Sequence, residues 1–129
     1  MPDVAASRRS WASSSFRGRR VLVVEDEYIL AEDLREELER EGAEVLGPVP
    51  TVAEALELLR LGPVPYVAIL DINLQGEMVY PVADLLRAMG VPFIFATGYE
   101  ADAIPPAYAD VPRAEKPVAV RDLGSAAYR

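Results

Sequence analysis

The chain has 129 residues, 51% of them hydrophobic, and a formal net charge of −8. That length fits one domain around one core, and that apolar share excludes a disordered polymer. With neither Cys nor His, the chain has no disulfide framework, no thiolate or imidazole metal site, no His general base and no phosphohistidine of its own.

The charge is unevenly spread. Residues 1–20 carry Arg8, Arg9, Arg17, Arg19 and Arg20 against Asp3, a balance of +4, which leaves −12 on the other 109 residues. So acidic a body repels phosphate backbones, and no nucleic-acid partner is expected. The Ser- and Arg-rich head lacks the apolar segment of a secretory signal. No apolar run approaches the roughly 20 residues that span a bilayer, so no membrane association is expected. The absence of Cys is compatible with a reducing interior, and a cytoplasmic location is expected. Residues 1–19 read as a flexible basic tail rather than a docking arm for an acidic surface, and residues 20–129 as the folded domain.

The elements follow in order. Val21-Leu22-Val23-Val24 is a short β-branched run, a buried strand that ends in Glu25-Asp26-Glu27. Those acids read either as a solvated helix start or as a site demanding a cation. Residues 28–41 read as a helix on the spacing of Leu30, Ala31, Leu34 and Leu38, with Arg35–Glu39 and Glu36–Arg40 spaced as i,i+4 pairs and Gly42 as the stop. Ala43–Leu46 is a weaker edge strand, broken by Gly47-Pro48 and Pro50. Thr51 and Glu54 fit a capping box for a helix running to Leu61, ended by Gly62-Pro63. Tyr66–Leu70 is a near-continuous apolar run that reads as a strand buried on both faces, and it ends in Asp71. Taken alone, Asp71 reads equally as a helix cap or as a site at the carboxyl end of a central strand. After a loop from Asn73 to Tyr80, Pro81 suits the first turn of a helix with Val82, Leu85, Leu86 and Met89 on its apolar face and Gly90 as its stop. Val91–Ala96 is the next buried strand and ends in Thr97-Gly98-Tyr99. Residues 100–112, with Pro105-Pro106 and Pro112, allow at most a short helix and are expected to be the least stable part of the fold. Val111–Glu115 reads as a short strand before Lys116-Pro117, and Val118–Tyr128 as a short final helix weakened by Gly124.

Strands alternating with helical stretches predict an α/β fold: a doubly wound five-stranded parallel sheet of order 2-1-3-4-5 with helices on both faces. Parallel strands place their carboxyl ends on one edge. Glu25-Asp26, Asp71, Thr97 and Lys116 each end a strand, and in this order the first and third strands are neighbours. Clustered carboxylates suit magnesium with oxygen ligands. An Asp beside a metal can be a nucleophile toward a phosphoryl group, which then needs an ammonium on its other side. Lys116 is the single Lys among twelve Arg, which points to a position that needs a compact ammonium. Gly98 leaves room for the transferred group.

At these residues the chain resembles a receiver domain of two-component response regulators, a flavodoxin-like fold, from residue 20 to about 128. The resemblance rests on Val-Leu-Val-Val-Glu-Asp-Glu (21–27), Leu-Asp-Ile-Asn-Leu (70–74), Ala-Thr-Gly (96–98) and Glu-Lys-Pro (115–117). It implies that Asp71 is the phosphoacceptor. It also implies that Asp26 binds Mg2+ directly and Glu25 through water, with the Asn73 backbone carbonyl as a third protein ligand. Thr97 would bond the phosphoryl group and move on activation. Lys116 would pair with that group, and the Lys116–Pro117 peptide would be cis. Phe93–Tyr99, with Asp71–Leu74, Gly76-Glu77 and Tyr80-Pro81, resembles more narrowly the FAT GUY receivers, often single-domain regulators or the receivers of hybrid kinases.

The sequence departs from many receivers at Arg113, where the family carries a switch aromatic three residues before the Lys. Tyr99 reads either as its substitute or as a loop aromatic, and phosphorylation is expected to order residues 99–112. With Arg129 just after the last helix, the expected function is a stand-alone phosphoacceptor switch and not an enzyme. It would be charged by a histidine kinase or phosphotransfer protein and would act on an unidentified protein by contact. A homodimer through the fourth and fifth elements is common in the family, and the unusual 99–115 stretch bears on it here. The alternatives are the C-terminal receiver of a hybrid histidine kinase, a haloacid-dehalogenase-like phosphatase, and a receiver that only docks. The phosphatase wants an Asp where Asn73 stands, and the intact acceptor set speaks against docking alone. No Gly-rich Gly-Lys-Ser/Thr loop supports a P-loop nucleotidase.

Overall fold

The structure is a computed structural model that describes residues 16–98 and 104–123. Its main sheet is built from β1 (Arg20–Val24), β2 (Glu44–Val49), β3 (Val67–Asp71), β6 (Phe93–Thr97) and β7 (Arg113–Glu115), all parallel, in the order β2-β1-β3-β6-β7. With the two-residue strands β4 (Asn73–Leu74) and β5 (Glu77–Met78) set aside, this is the 2-1-3-4-5 order that the sequence predicts. The helices are α1 (Tyr28–Arg40), α2 (Val52–Leu61) and α3 (Tyr80–Met89), with 3₁₀ turns at Pro106–Tyr108 and Val120–Leu123.

The continuous apolar runs are explained by two cores, one on each face of the sheet. Successive strand residues point to opposite faces. Leu22, Val24, Ala68, Leu70, Phe93 and Phe95 pack with α2 and α3, whereas Val21, Val23, Val67, Ile69 and Ile94 pack with α1 and the last 3₁₀ turn. The helices present matching stripes, with Ala31, Leu34 and Leu38 buried on α1, Val52, Ala55 and Leu59 on α2, and Val82, Ala83 and Leu86 on α3. Pro81 lies in the first turn of α3, and Gly90 closes the helix in the left-handed conformation. Among the described residues, no helix is long and apolar enough to cross a membrane.

Several expectations are corrected. Residues 16–19, assigned to the tail, fold onto the domain. Phe16 is 1% exposed and meets Tyr66 edge-on at 6.5 Å, the Arg19 guanidinium lies 4.4 Å from the Tyr66 ring centroid, and the Gly18 N–H donates to the Gly42 carbonyl at 2.8 Å. Residues 1–15 lie outside the described residues. Strand β2 does not stop at Gly47-Pro48 but runs to Val49, through a register irregularity opposite Leu22–Val24. Gly47 makes this passage with φ +91°, where a Cβ would stand 2.9 Å from the Val23 carbonyl oxygen. The Thr51 hydroxyl accepts from the Glu54 N–H at 3.1 Å, as a cap should, but the Glu54 carboxylate takes the Thr51 hydroxyl proton at 3.0 Å rather than an amide. The loop after β3 contains the β4–β5 hairpin, and β7 begins at Arg113 rather than at Val111. The final helix is a 3₁₀ turn at Val120–Leu123, capped by the Glu37 carboxylate on the Val120 N–H at 2.7 Å; its predicted extension to Tyr128 lies outside the described residues.

Candidate functional site

Strands β1, β3, β6 and β7 end at one edge of the sheet, and their terminal residues meet there. The register pairs Val24 with Leu70 and Asp71 with Ala96, so Glu25, just after β1, lies beside Asp71, the last residue of β3. Thr97 pairs with Glu115, and the Lys116 N–H donates to the Thr97 carbonyl at 2.9 Å, which places Lys116 beside the same cleft. The cleft has a volume of about 400 Å³. Asp26, Asp71, Asn73, Thr97, Gly98 and Lys116 are among its lining residues.

Three polar side chains here are buried: Glu25 at 8%, Asp71 at 6% and Thr97 at 5% exposure. Lys116 Nζ lies 2.9 Å from Asp71 Oδ1 and 3.3 Å from Glu25 Oε1, bridging the two. Glu25 Oε2 also accepts the Glu27 N–H at 3.1 Å. Burial pushes the Asp71 carboxyl up to about 7; the Lys116 bond opposes this, while the charge of Glu25 and a hydrogen bond with Asp26 add to it. Burial works to lower the Lys116 ammonium, but its bonds and charge contacts with Asp71 and Glu25 prevail and its net shift is upward.

Glu25, Asp26 and Asp71 each offer a carboxylate oxygen, and these oxygens lie within 4.8 Å of one another. Fully ionised, they would exceed the one Lys116 ammonium by two charges in a partly desolvated site. Such a donor set fits a hard divalent cation with oxygen ligands and does not fit a soft metal. The Asn73 side chain is engaged elsewhere: its Oδ1 accepts the Gly76 N–H at 2.6 Å and shapes the hairpin turn, where Gln75 adopts φ 55°. The Thr97 hydroxyl donates to the Ala114 carbonyl at a long 3.4 Å. A Cβ at Gly98 would meet nothing within 4 Å, so space stays open beside Thr97. The Lys116–Pro117 peptide is cis, as is Gly47–Pro48. Tyr99 lies outside the described residues.

Gln75, Met78 and Tyr80 also line the cleft, brought there by the β4–β5 hairpin and the start of α3. Sequence reasoning gave the hairpin no role. Its signal was the Gln75-Gly76 pair, which allows a tight reversal before Pro81.

No family model matches the chain. It is 35% identical over 88 residues to the sensory transduction protein LytT of Bacillus anthracis, a match that covers 66% of this chain and 35% of LytT, so the chain spans about a third of that relative. Its fold is similar to SdrG from Sphingomonas melonis Fr1, at TM-score 0.73 and 38% identity, over 84% of this chain and 92% of SdrG. A BeF3-activated conformation of SdrG, from Pseudomonas melonis Fr1, matches at TM-score 0.69 and 38% identity, over 83% and 91% of the two chains. A response regulator receiver protein from Sinorhizobium medicae WSM419 matches at TM-score 0.69 and 25% identity, over 86% and 92%.

Proposed function

Because the chain belongs to the receiver domains of response regulators in two-component signalling, we propose that it takes a phosphoryl group from a phosphohistidine onto Asp71. An Asp71 carboxylate oxygen attacks phosphorus. The O–P bond forms as the P–N bond breaks, and the donor imidazole leaves with the electron pair and takes up a proton. Asp26, Asp71 and the Asn73 backbone carbonyl would hold magnesium, with Glu25 reaching it through water. Bound there, the ion supplies charge compensation to the transferring group.

The chain's own residues do the rest. Lys116, already 2.9 Å from Asp71, exchanges a carboxylate oxygen for a phosphoryl oxygen. The long Thr97–Ala114 bond is weak enough for the hydroxyl to turn to the phosphoryl group. Gly98 leaves room for it. Asn73 cannot carry a proton to or from an attacking water, and its side chain serves the hairpin turn, so the acyl phosphate is held rather than promptly hydrolysed. This favours a switch over a phosphatase. The donor is a histidine kinase or phosphotransfer protein, and the output is a protein contact. The solved BeF3-activated form of SdrG, 38% identical to this chain, supports a response of the same kind here.

The observation that carries this reading is the Asp71–Lys116 pair inside a cluster of three carboxylates. Incubation with acetyl phosphate and magnesium, followed by mass measurement, tests it. A gain of one phosphoryl group that Asp71→Asn abolishes is expected. Donor turnover far beyond stoichiometry would instead indicate a phosphatase, and no label a docking module.

A further inference from the structure

We propose that the stacked pair Tyr80–Tyr108 couples the Asp71 cleft to the 104–112 segment and serves as the element through which that surface reads the state of Asp71. The proposal rests on the phosphoacceptor reading above.

The argument starts from how the segment is held. Residues 104–112 contain Pro105-Pro106 and a single 3₁₀ turn, so little of their stability is their own. Val111 is buried in the core and Ile104 packs against it, while the remaining side-chain anchors converge on α3. The Tyr108 ring stacks on Tyr80 at 4.6 Å and 15°. The Tyr108 hydroxyl donates to Asp84 at 2.7 Å, and the Arg87 guanidinium lies 5.1 Å from the Tyr108 centroid. Arg87 also donates to the Ala107 carbonyl at 3.0 Å and to Asp110 at 2.8 Å. The ionic bonds are exposed, and bonds of that kind contribute little each. Of the contacts to α3, the stack is the one with apolar area behind it, since both rings also meet Phe95 edge-on at 6.1 Å.

Tyr80 and Phe95 are also tied to the cleft. Tyr80 lines it together with Asp71 and Thr97, and Phe95 lies two residues before Thr97 on β6. A phosphoryl group on Asp71 adds bulk and negative charge to a space that Tyr80 faces, and recruits the hydroxyl at the end of the strand that carries Phe95. A Tyr80 placement that holds the stack and one that does not therefore differ in what they face, which is the differential interaction a switch requires. The segment has little regular structure of its own, so its position follows the contacts it makes.

The test uses the full chain. Amide hydrogen exchange of 104–112 is followed before and after acetyl phosphate and magnesium, with labelling of Asp71 measured by mass in the same samples. Wild type is expected to label and to change its exchange across 104–112. Tyr108→Leu is expected to label to the same extent, to exchange roughly two- to tenfold faster there before labelling, and to show no further change on labelling. Tyr108→Phe keeps the stack without the Asp84 bond and is expected to respond as wild type does. An equal response in Tyr108→Leu and wild type overturns the proposal, and so does a labelled wild type with unchanged exchange. Absence of label in wild type overturns the phosphoacceptor reading and this one with it, and the mass measurement separates that case from the others.

Discussion

Asp71 is crowded by its neighbours, and the crowding has a sign. In the metal-free protein its carboxyl is pushed up from the ordinary 3.8 to about 7, burial being the largest cause. Between those values the folded protein keeps a proton that the unfolded chain has released. Stability is therefore expected to fall as pH rises through that window and to level off above it. In EDTA, Asp71→Asn removes the dependence: the variant is expected to be more stable than wild type near pH 8 and about equal to it near pH 4, as measured by urea unfolding. Lys116 acts in the opposite sense. Lys116→Met leaves the carboxylates without their ammonium and is expected to cost about 3 kcal/mol near pH 8. The cost is expected to shrink near pH 5, where Asp71 protonates, so unfolding at the two pH values checks it. At this scale the sequence was informative: four strand ends carried chemistry, and the single Lys stood out among twelve Arg. It did not disclose that Lys116 bridges Asp71 and Glu25, because that depends on how two strand ends and the turn after a third converge.

Among the strands of the main sheet, β2 is the least legible from sequence. Gly47-Pro48 is a breaking pair by composition, yet the strand passes through it. The reason lies in its neighbour: β1 presses the Val23 carbonyl against Gly47, so only a residue without Cβ fits, and it must also hold φ +91°. Gly47→Ala meets both obstacles and is expected to cost about 2–3 kcal/mol. Gly76→Ala meets only the backbone one, since nothing lies within 4 Å of its Cβ site, and is expected to cost about 1 kcal/mol. Paired urea titrations check the difference. Strands β1, β3 and β6 were legible because a run buried on both faces needs no alternation. Helix α1 was legible from its apolar residues at i, i+4 and i+8, and Arg35 pairs with Glu39 at 2.7 Å as expected, while also taking Glu32 at 2.6 Å.

For the whole molecule, chain order was enough to reach the sheet and the edge where Glu25, Asp71, Thr97 and Lys116 meet, since right-handed crossovers leave few arrangements. Contacts between residues far apart in sequence were not legible. Arg87 and Asp84 reach residues 107–110, and Phe16 reaches Tyr66, with no local pattern announcing either. Phe16 looked like part of a basic tail because its neighbours are Ser and Arg, yet it fills the core on the α1 side. Phe16→Ala is expected to cost about 3–4 kcal/mol by thermal or urea unfolding, a loss that no tail residue would cause. This anchor also sets a direction. Phe16, Gly42 and Tyr66 gather where the strands begin, and Asp71 stands where they end, one strand length or about 17 Å away. A dye, bead or carrier protein joined at the exposed Arg17 thus sits at the end of the sheet away from Asp71. Asp71 is expected to charge at the same rate whether the chain is free in solution or tethered to a surface by that end.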